Sequence, residues 1–302
     1  MKNKDDFNQI SYQTHEKHFC DYARGGKKAK HAKTWFEDDT VDAWRHKRIY
    51  KSLDPLLKAF PHASWLTVGD GRFGNDAHYI QERGLKVLAT DISDVLLKEA
   101  KEIGYIDDYS KENAEALSFS DEEYDFVFCK ESYHHFPRPM IALYEMLRVA
   151  KTGIVLIEPN DGYVASTFLD VLFTNFKDFI KNILYKNNIK HGFEQTGNYI
   201  YSISKREIEK VALGMNFKAV AFKGIDDYYV EGVEYEKATK NSKLFKQVKI
   251  VIGLFDLLTK LKLKQSGLLT AIIFKEELQP HLKENLLSDG YGVIVLPENP
   301  YL

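Results

Sequence analysis

The sequence has little cysteine: Cys20 and Cys129 are the only two in 302 residues. That excludes a zinc site built from four cysteines and argues against a disulfide framework, so a reducing compartment is expected and no metal site is read. An excess of charge of one sign is also missing. With 42 lysines and arginines against 44 acids, the net charge of −2 offers nothing to a polynucleotide, and no nucleic-acid partner is expected. No run approaches the ~20 apolar residues of a membrane span. The first residues, MKNKDDFNQISYQTHEKHF, hold no apolar core for a signal peptide, so a cytoplasmic protein is expected. Internal repeats and low-complexity linkers are absent too, which favours one domain with decorations over two domains.

What is present is alternation. Short apolar runs at SWLTVG (from Ser64), KVLATD (86–91), EALSF (115–119), YDFVFCK (124–130), GIVLIEP (153–159), KAVAFKGI (218–225) and LLTAIIFK (268–275) are separated mostly by amphipathic stretches. Near-continuous apolar strands that alternate with helices indicate a mainly parallel sheet covered on both faces. The expected fold is α/β: a doubly wound, Rossmann-like, seven-stranded sheet with a helical N-terminal cap and insertions. Residues 1–63 are read as arm and cap, 64–275 as the core with insertions at about 162–203 and 226–267, and 276–302 as an extension with a short helix and an extended segment. Within the cap, residues 40–60 have helical spacing and Thr40 or Asp39 as N-cap, whereas the basic stretch 24–33 reads as a solvated loop. Ser204 caps a further helix over 204–217, with Glu207 three residues on. Two amphipathic stretches are ambiguous. The stripe Phe168, Leu172, Phe176, Phe179, Ile183 in 164–185 suits core packing better than substrate contact. The segment with eight lysines from Lys237 to Lys264 suits a core-facing helix pair, with contact to a membrane surface or an anionic partner as the alternative.

The segment that carries chemistry is WLTVGDGRFGND (65–76), a strand running into closely spaced glycines and then a helix. Gly69 and Gly71 permit a tight turn that a ligand can approach without a β-carbon in the way. Gly69 to Gly74 also spells the dinucleotide pattern G-x-G-x-x-G, and Asp91 ends the second strand, 22 residues beyond Gly69, where an acid accepts bonds from ribose hydroxyls. Both features point to an adenosine cofactor without choosing one.

The stretch KENAEALSFSDEEYDFVFCKESYHHF (111–136) resembles the third-to-fourth-strand region of class I S-adenosylmethionine-dependent methyltransferases of the type 11-like kind, and the resemblance extends over about residues 64–161. It implies S-adenosylmethionine as methyl donor and S-adenosylhomocysteine as product. It also implies cofactor contacts at Gly69, Asp70, Gly71, Asp91, Ile92, Asn113, Ala114 and Lys130, with Asn113-Ala114-Glu115 near the adenine. Two positions depart from the family pattern: Thr67 stands where an acid is common, and Phe73 where a third glycine is. Asp70 or a residue of the N-terminal helices is then left to receive the cofactor's ammonium group.

If the acceptor is a hydroxyl, a base must take its proton, and histidine has the suitable pKa. His134 and His135, in the loop after the fourth strand, are the candidates, with Glu131 beside them. Tyr133, Glu158, Asn160 and His191 are candidate substrate contacts, and Glu194 and Asn198 lie in the same insertion as His191. The fifth strand ends in EPND, unlike the Asn/Asp-Pro-Pro-Tyr motif used on nucleobase amines, and Cys129 lies within a strand, unsuited to nucleophilic catalysis. A small-molecule or sugar-like acceptor, such as a glycan precursor, is the expectation. Two other readings stand beside it: a non-catalytic S-adenosylmethionine-binding regulator, and an NAD(P)-dependent oxidoreductase. The spacing Tyr201-x-x-x-Lys205 fits the oxidoreductase but falls after the fifth strand.

Overall fold

Strands form where the sequence alternates apolar side chains between two covered faces. In the computed structural model, which describes residues 4–162, 164, 192–193 and 198–301, they build one eight-stranded sheet. The strands are β1 (Ser64–Val68), β2 (Lys86–Asp91), β3 (Tyr109–Lys111), β4 (Tyr124–Lys130), β5 (Ala150–Pro159), β6 (Ala219–Ile225), β7 (Leu268–Phe274) and β8 (Gly292–Val295). Their order is β3-β2-β1-β4-β5-β7-β6-β8. β1 to β5 pair in parallel, while β7 runs antiparallel to both β5 and β6, and β8 antiparallel to β6. Chain order reverses between β1 and β4, so a crevice opens at their carboxyl ends, where open α/β sheets take their ligands.

Each face has its own core. Leu66, Val127, Cys129 and Leu156 pack with Leu143, Met146 and Ile208 on one side; Trp65, Phe126, Phe128 and Val155 pack with Ile49, Leu53 and Leu56 on the other. The first set meets α7 (Pro139–Val149) and α8 (Lys205–Gly214); the second meets α3 (Val41–Tyr50), a 3₁₀ turn and α4 (Asp54–Ala59). The predicted caps form: Thr40 accepts from the Ala43 N–H at 3.1 Å and Ser204 from the Glu207 N–H at 3.2 Å.

Several expectations are corrected. The sheet has eight strands rather than seven, because the tail 276–302 supplies α10 (Pro280–Ser288) and then β8 at the edge. The third strand is the polar YSK, short as edge strands often are. EALSF is a loop whose Leu117 is buried on the core and whose Leu117 N–H bonds Glu145. Residues 4–20 form helix α1 (Lys4–Cys20), and the basic stretch read as a loop holds α2 (Ala29–Ala32) and leads into a 3₁₀ turn at Lys33–Phe36. The Lys-rich segment contains one helix, α9 (Lys243–Lys260), rather than a pair. The stripe expected at 164–185, along with His191 and Glu194, lies outside the described residues. The remaining helices that bear on the site are α5 (Asn75–Gln81) and α6 (Val95–Glu102).

Candidate active site

A cavity of about 610 Å³ lies over the carboxyl ends of β1 and β4, between the glycine turn, the loop after β4 and the helices α1 and α3. The turn is tight because its glycines leave no room for side chains. A β-carbon on Gly69, where φ is +77°, would stand 2.5 Å from Ser132 Cβ; one on Gly71 would stand 2.8 Å from Asp91 Oδ2 and 2.6 Å from Phe19 Cζ. Phe73, at φ +58°, holds a left-handed backbone that costs a non-glycine residue about 1 kcal/mol or more. Its ring is buried against Phe36, with centroids 4.3 Å apart, and so ties the turn to the helical cover.

On the β4–β5 side, Glu158 is fully buried at the end of β5 and organises the loop that follows β4. It accepts the backbone N–H groups of Ser132 and Tyr133, each at 2.9 Å, and its Oε2 lies 2.6 Å from His134 Nδ1. His134 lines the cavity, and the His135 ring lies beside it, with centroids 3.9 Å apart. With Oε2 as acceptor, the proton sits on Nδ1 and the lone pair on Nε2.

A charged wall stands across the turn. Lys130 lies 3.0 Å from Glu131 and 3.6 Å from Asp76, and over the Tyr50 ring. Tyr50 donates its hydroxyl to Asp76. Enclosure works to raise the Glu131 pKa, but the charges of Lys130 and Arg72 prevail and hold it well below the carboxylate range. His46 sits 3.7 Å from Glu131; burial, then the Lys130 charge, push its pKa down to about 3, so it is neutral. Glu131 itself has φ +51°, a second left-handed non-glycine position at the cleft. Asp70 lines the cavity from beside the turn, and most of its bonding capacity is spent within the protein. Its carboxylate, 3% exposed, accepts from Thr67 and from the Asp76 and Ala77 N–H groups, capping α5.

The β2–β3 side lies beneath α1. Asp91 is buried and accepts the Ser93 N–H at 2.8 Å; burial pushes its pKa up to about 7, against the N–H groups of Ser93, Gly71 and Ile92. None of Asp91, Ile92, Asn113 and Ala114 lines the cavity, because α1 covers them. Phe19 rests on Gly71, Tyr12 donates to Glu115 at 2.6 Å, and Glu16 pairs with Lys111. The Asn113 side-chain oxygen already accepts the Glu115 N–H at 3.0 Å. The glycine cradle and Asp91 nonetheless suit an adenosine cofactor: a side chain at Gly69 or Gly71 would fill the approach, and the carboxyl group stands beside it.

Of the residues expected to contact substrate, Tyr133 is corrected, since it is 1% exposed in the core with its hydroxyl against Met140 Sδ. Glu158 is a brace and not a cavity wall, for the same reason of burial. Asn160 bonds the Ser266 carbonyl, and Asn198 the His135 carbonyl. The sequence reading missed His15, His18, His46, Tyr50 and Asp76, all of which line the cavity. Helical spacing over residues 40–60 marked α3, but which face meets the cavity is set by how α3 docks. Among the described residues no cluster of three or more His, Cys, Asp or Glu is arranged to hold a metal.

Residues 66–157 match the family model described as a methyltransferase domain. Among curated proteins no sequence matches. Similar solved structures include an S-adenosylmethionine-dependent methyltransferase from Thermotoga maritima, described as a possible histamine N-methyltransferase. It is 17% identical, with 86% of this chain and 99% of that chain covered and a TM-score of 0.47. Another such enzyme, from Archaeoglobus fulgidus, is 17% identical, covering 76% of this chain and 94% of its own, with a TM-score of 0.47. The magnesium protoporphyrin IX methyltransferase of Synechocystis, with bound SAH, is 14% identical over 76% of this chain and 84% of its own, with a TM-score of 0.43. At this distance the likenesses identify no acceptor.

Proposed function

We propose that the chain, whose residues 66–157 match a methyltransferase domain, is an S-adenosylmethionine-dependent methyltransferase of class I that methylates a hydroxyl oxygen of a small, polar, sugar-like acceptor, with His134 as general base. The observation that carries this reading is the 2.6 Å contact of His134 Nδ1 with the fully buried Glu158. A base must be held in one tautomer and one orientation, and a buried carboxyl group on Nδ1 does both. Glu158 is thus a positioning residue, and its two backbone bonds fix the loop that carries His134.

The cofactor supplies a methyl group on a sulfonium, ready for in-line displacement. The chain's own part is to bind, orient and shield. Gly69 and Gly71 keep the turn open to close approach, and Asp91 accepts the ribose hydroxyls. Glu131, ionised and facing the cavity, takes the ammonium group, a role that the uncharged, fully buried Thr67 leaves open. α1 and α3 keep water from the acceptor, whose oxygen must be brought to ~3 Å from the methyl carbon.

The test is S-adenosylhomocysteine release with a panel of sugars, sugar nucleotides and phenols, set beside matched amines. His134→Ala should lower kcat by about 10²–10⁴-fold with little change in cofactor affinity, and Glu158→Gln should lower it less while shifting the pH profile. Turnover of amines alone, with His134→Ala fully active, contradicts the proposal.

A further inference from the structure

Helix α9 is apolar on two sides, and only one of them is packed. Val248 and Ile252 are buried against Val41 and Val233, and Phe245 meets Trp44 of α3 edge-on, with centroids 5.1 Å apart. On the outer side Ile250, Leu254, Leu257 and Leu261 follow one another at intervals of four, three and four residues, a single stripe. They are 71%, 52%, 51% and 57% exposed. An apolar stripe of this length in water is an unfavourable arrangement that a docking surface relieves.

The charge around the stripe says what covers it. Lys243 and Lys246 stand seven and four residues before Ile250 and continue its line, Lys249 and Lys260 flank it, and Lys262 follows. All five are exposed, and among the described residues none is in an ion pair. The one acid of the stretch, Asp256, is paired with Arg48. In a chain whose net charge is −2, this is a local segregation of positive charge beside exposed leucine and isoleucine. Such a pattern matches a membrane interface, in which headgroup phosphates meet ammonium groups while the apolar stripe enters the acyl boundary. Among the described residues no helix is long and apolar enough to cross a membrane, so the contact is with the surface.

We propose that α9 docks the protein on an anionic lipid surface. The place suits the cavity: α3 presents Asp42, His46 and Tyr50 to it and Val41 and Trp44 to α9, so a single helix separates the two.

The experiment is vesicle flotation of the full chain with phosphatidylcholine alone and with phosphatidylcholine containing phosphatidylglycerol, at low and high salt. The protein should float only with the anionic vesicles and less at high salt. The double variants Ile250→Glu/Leu254→Glu and Lys246→Glu/Lys249→Glu, all at exposed positions, should each bind at least about tenfold more weakly with an unchanged thermal unfolding curve. Failure of the unaltered protein to float, or flotation that both variants leave intact, overturns the proposal. So does sedimentation showing a dimer that Ile250→Glu/Leu254→Glu dissociates while no vesicles bind, because the stripe then belongs to a second copy of the chain.

Discussion

The floor of the cavity and its cover are built on different physics. The floor is the central sheet, where Trp65 and Phe126 stack with centroids 4.8 Å apart and the neighbouring strand residues are fully buried on both faces. The cover, α1, is fastened mainly by polar contacts, Tyr12 to Glu115 and Glu16 to Lys111, with Phe19 packed at the edge of the cluster around Phe73. Apolar burial is cooperative and costly to undo, whereas exposed ion pairs contribute at most about 1 kcal/mol each. The scaffold is therefore fixed and its cover is held lightly, as a site requires when Phe19 rests on the very glycine that a ligand must approach.

The largest test of that contrast is in the floor. Phe126→Ala should cost about 3–5 kcal/mol of unfolding free energy in urea; a loss under ~1 kcal/mol would place the stability elsewhere. Next comes Asp91, the buried acid between floor and cover. Its folded pKa of about 7 lies above its ordinary value, so its contribution to stability is full at low pH and is lost as pH rises through about 7. Burial also raises Asp70 and Asp76, which act in the same direction. Asp91→Asn should flatten the fall in stability between about pH 4 and about pH 7, an effect on the order of a few kcal/mol; an unchanged slope would assign the fall to the other two acids. The smallest effect belongs to the cover: Tyr12→Phe should change global stability by less than ~1 kcal/mol yet speed proteolysis within residues 4–33. A large global loss would make α1 part of the core.

The same contrast explains what the sequence made legible. Strands β1, β2, β4, β5, β6 and β7 were readable because two covered faces leave an unbroken apolar run. The glycine turn and the His134 loop followed from their places at strand ends. Helix α1 was not readable, since its inward side chains include Ser11, Tyr12 and His15, which carry no hydrophobic period. The short, polar β3 hid for the same reason, while EALSF imitated a strand because Leu117 and Phe119 pack on the core from a loop. Phe73 looked like the loss of a glycine; its backbone keeps the glycine-like conformation and its ring packs on Phe36 of the 3₁₀ turn. The partnership of Glu158 with His134 spans 24 residues and appears only once β5 lies beside β4.

The most direct test of the account is calorimetric titration with S-adenosylhomocysteine at about pH 6 and about pH 8, in buffers of different ionisation enthalpy. In the proposed contact the ribose hydroxyls donate to the ionised form of Asp91, so binding should release a proton at the lower pH and none at the higher, and Asp91→Asn should abolish that linkage and weaken binding. Binding without proton release that Asp91→Asn leaves unchanged, or binding of NADH in place of S-adenosylhomocysteine, would contradict it.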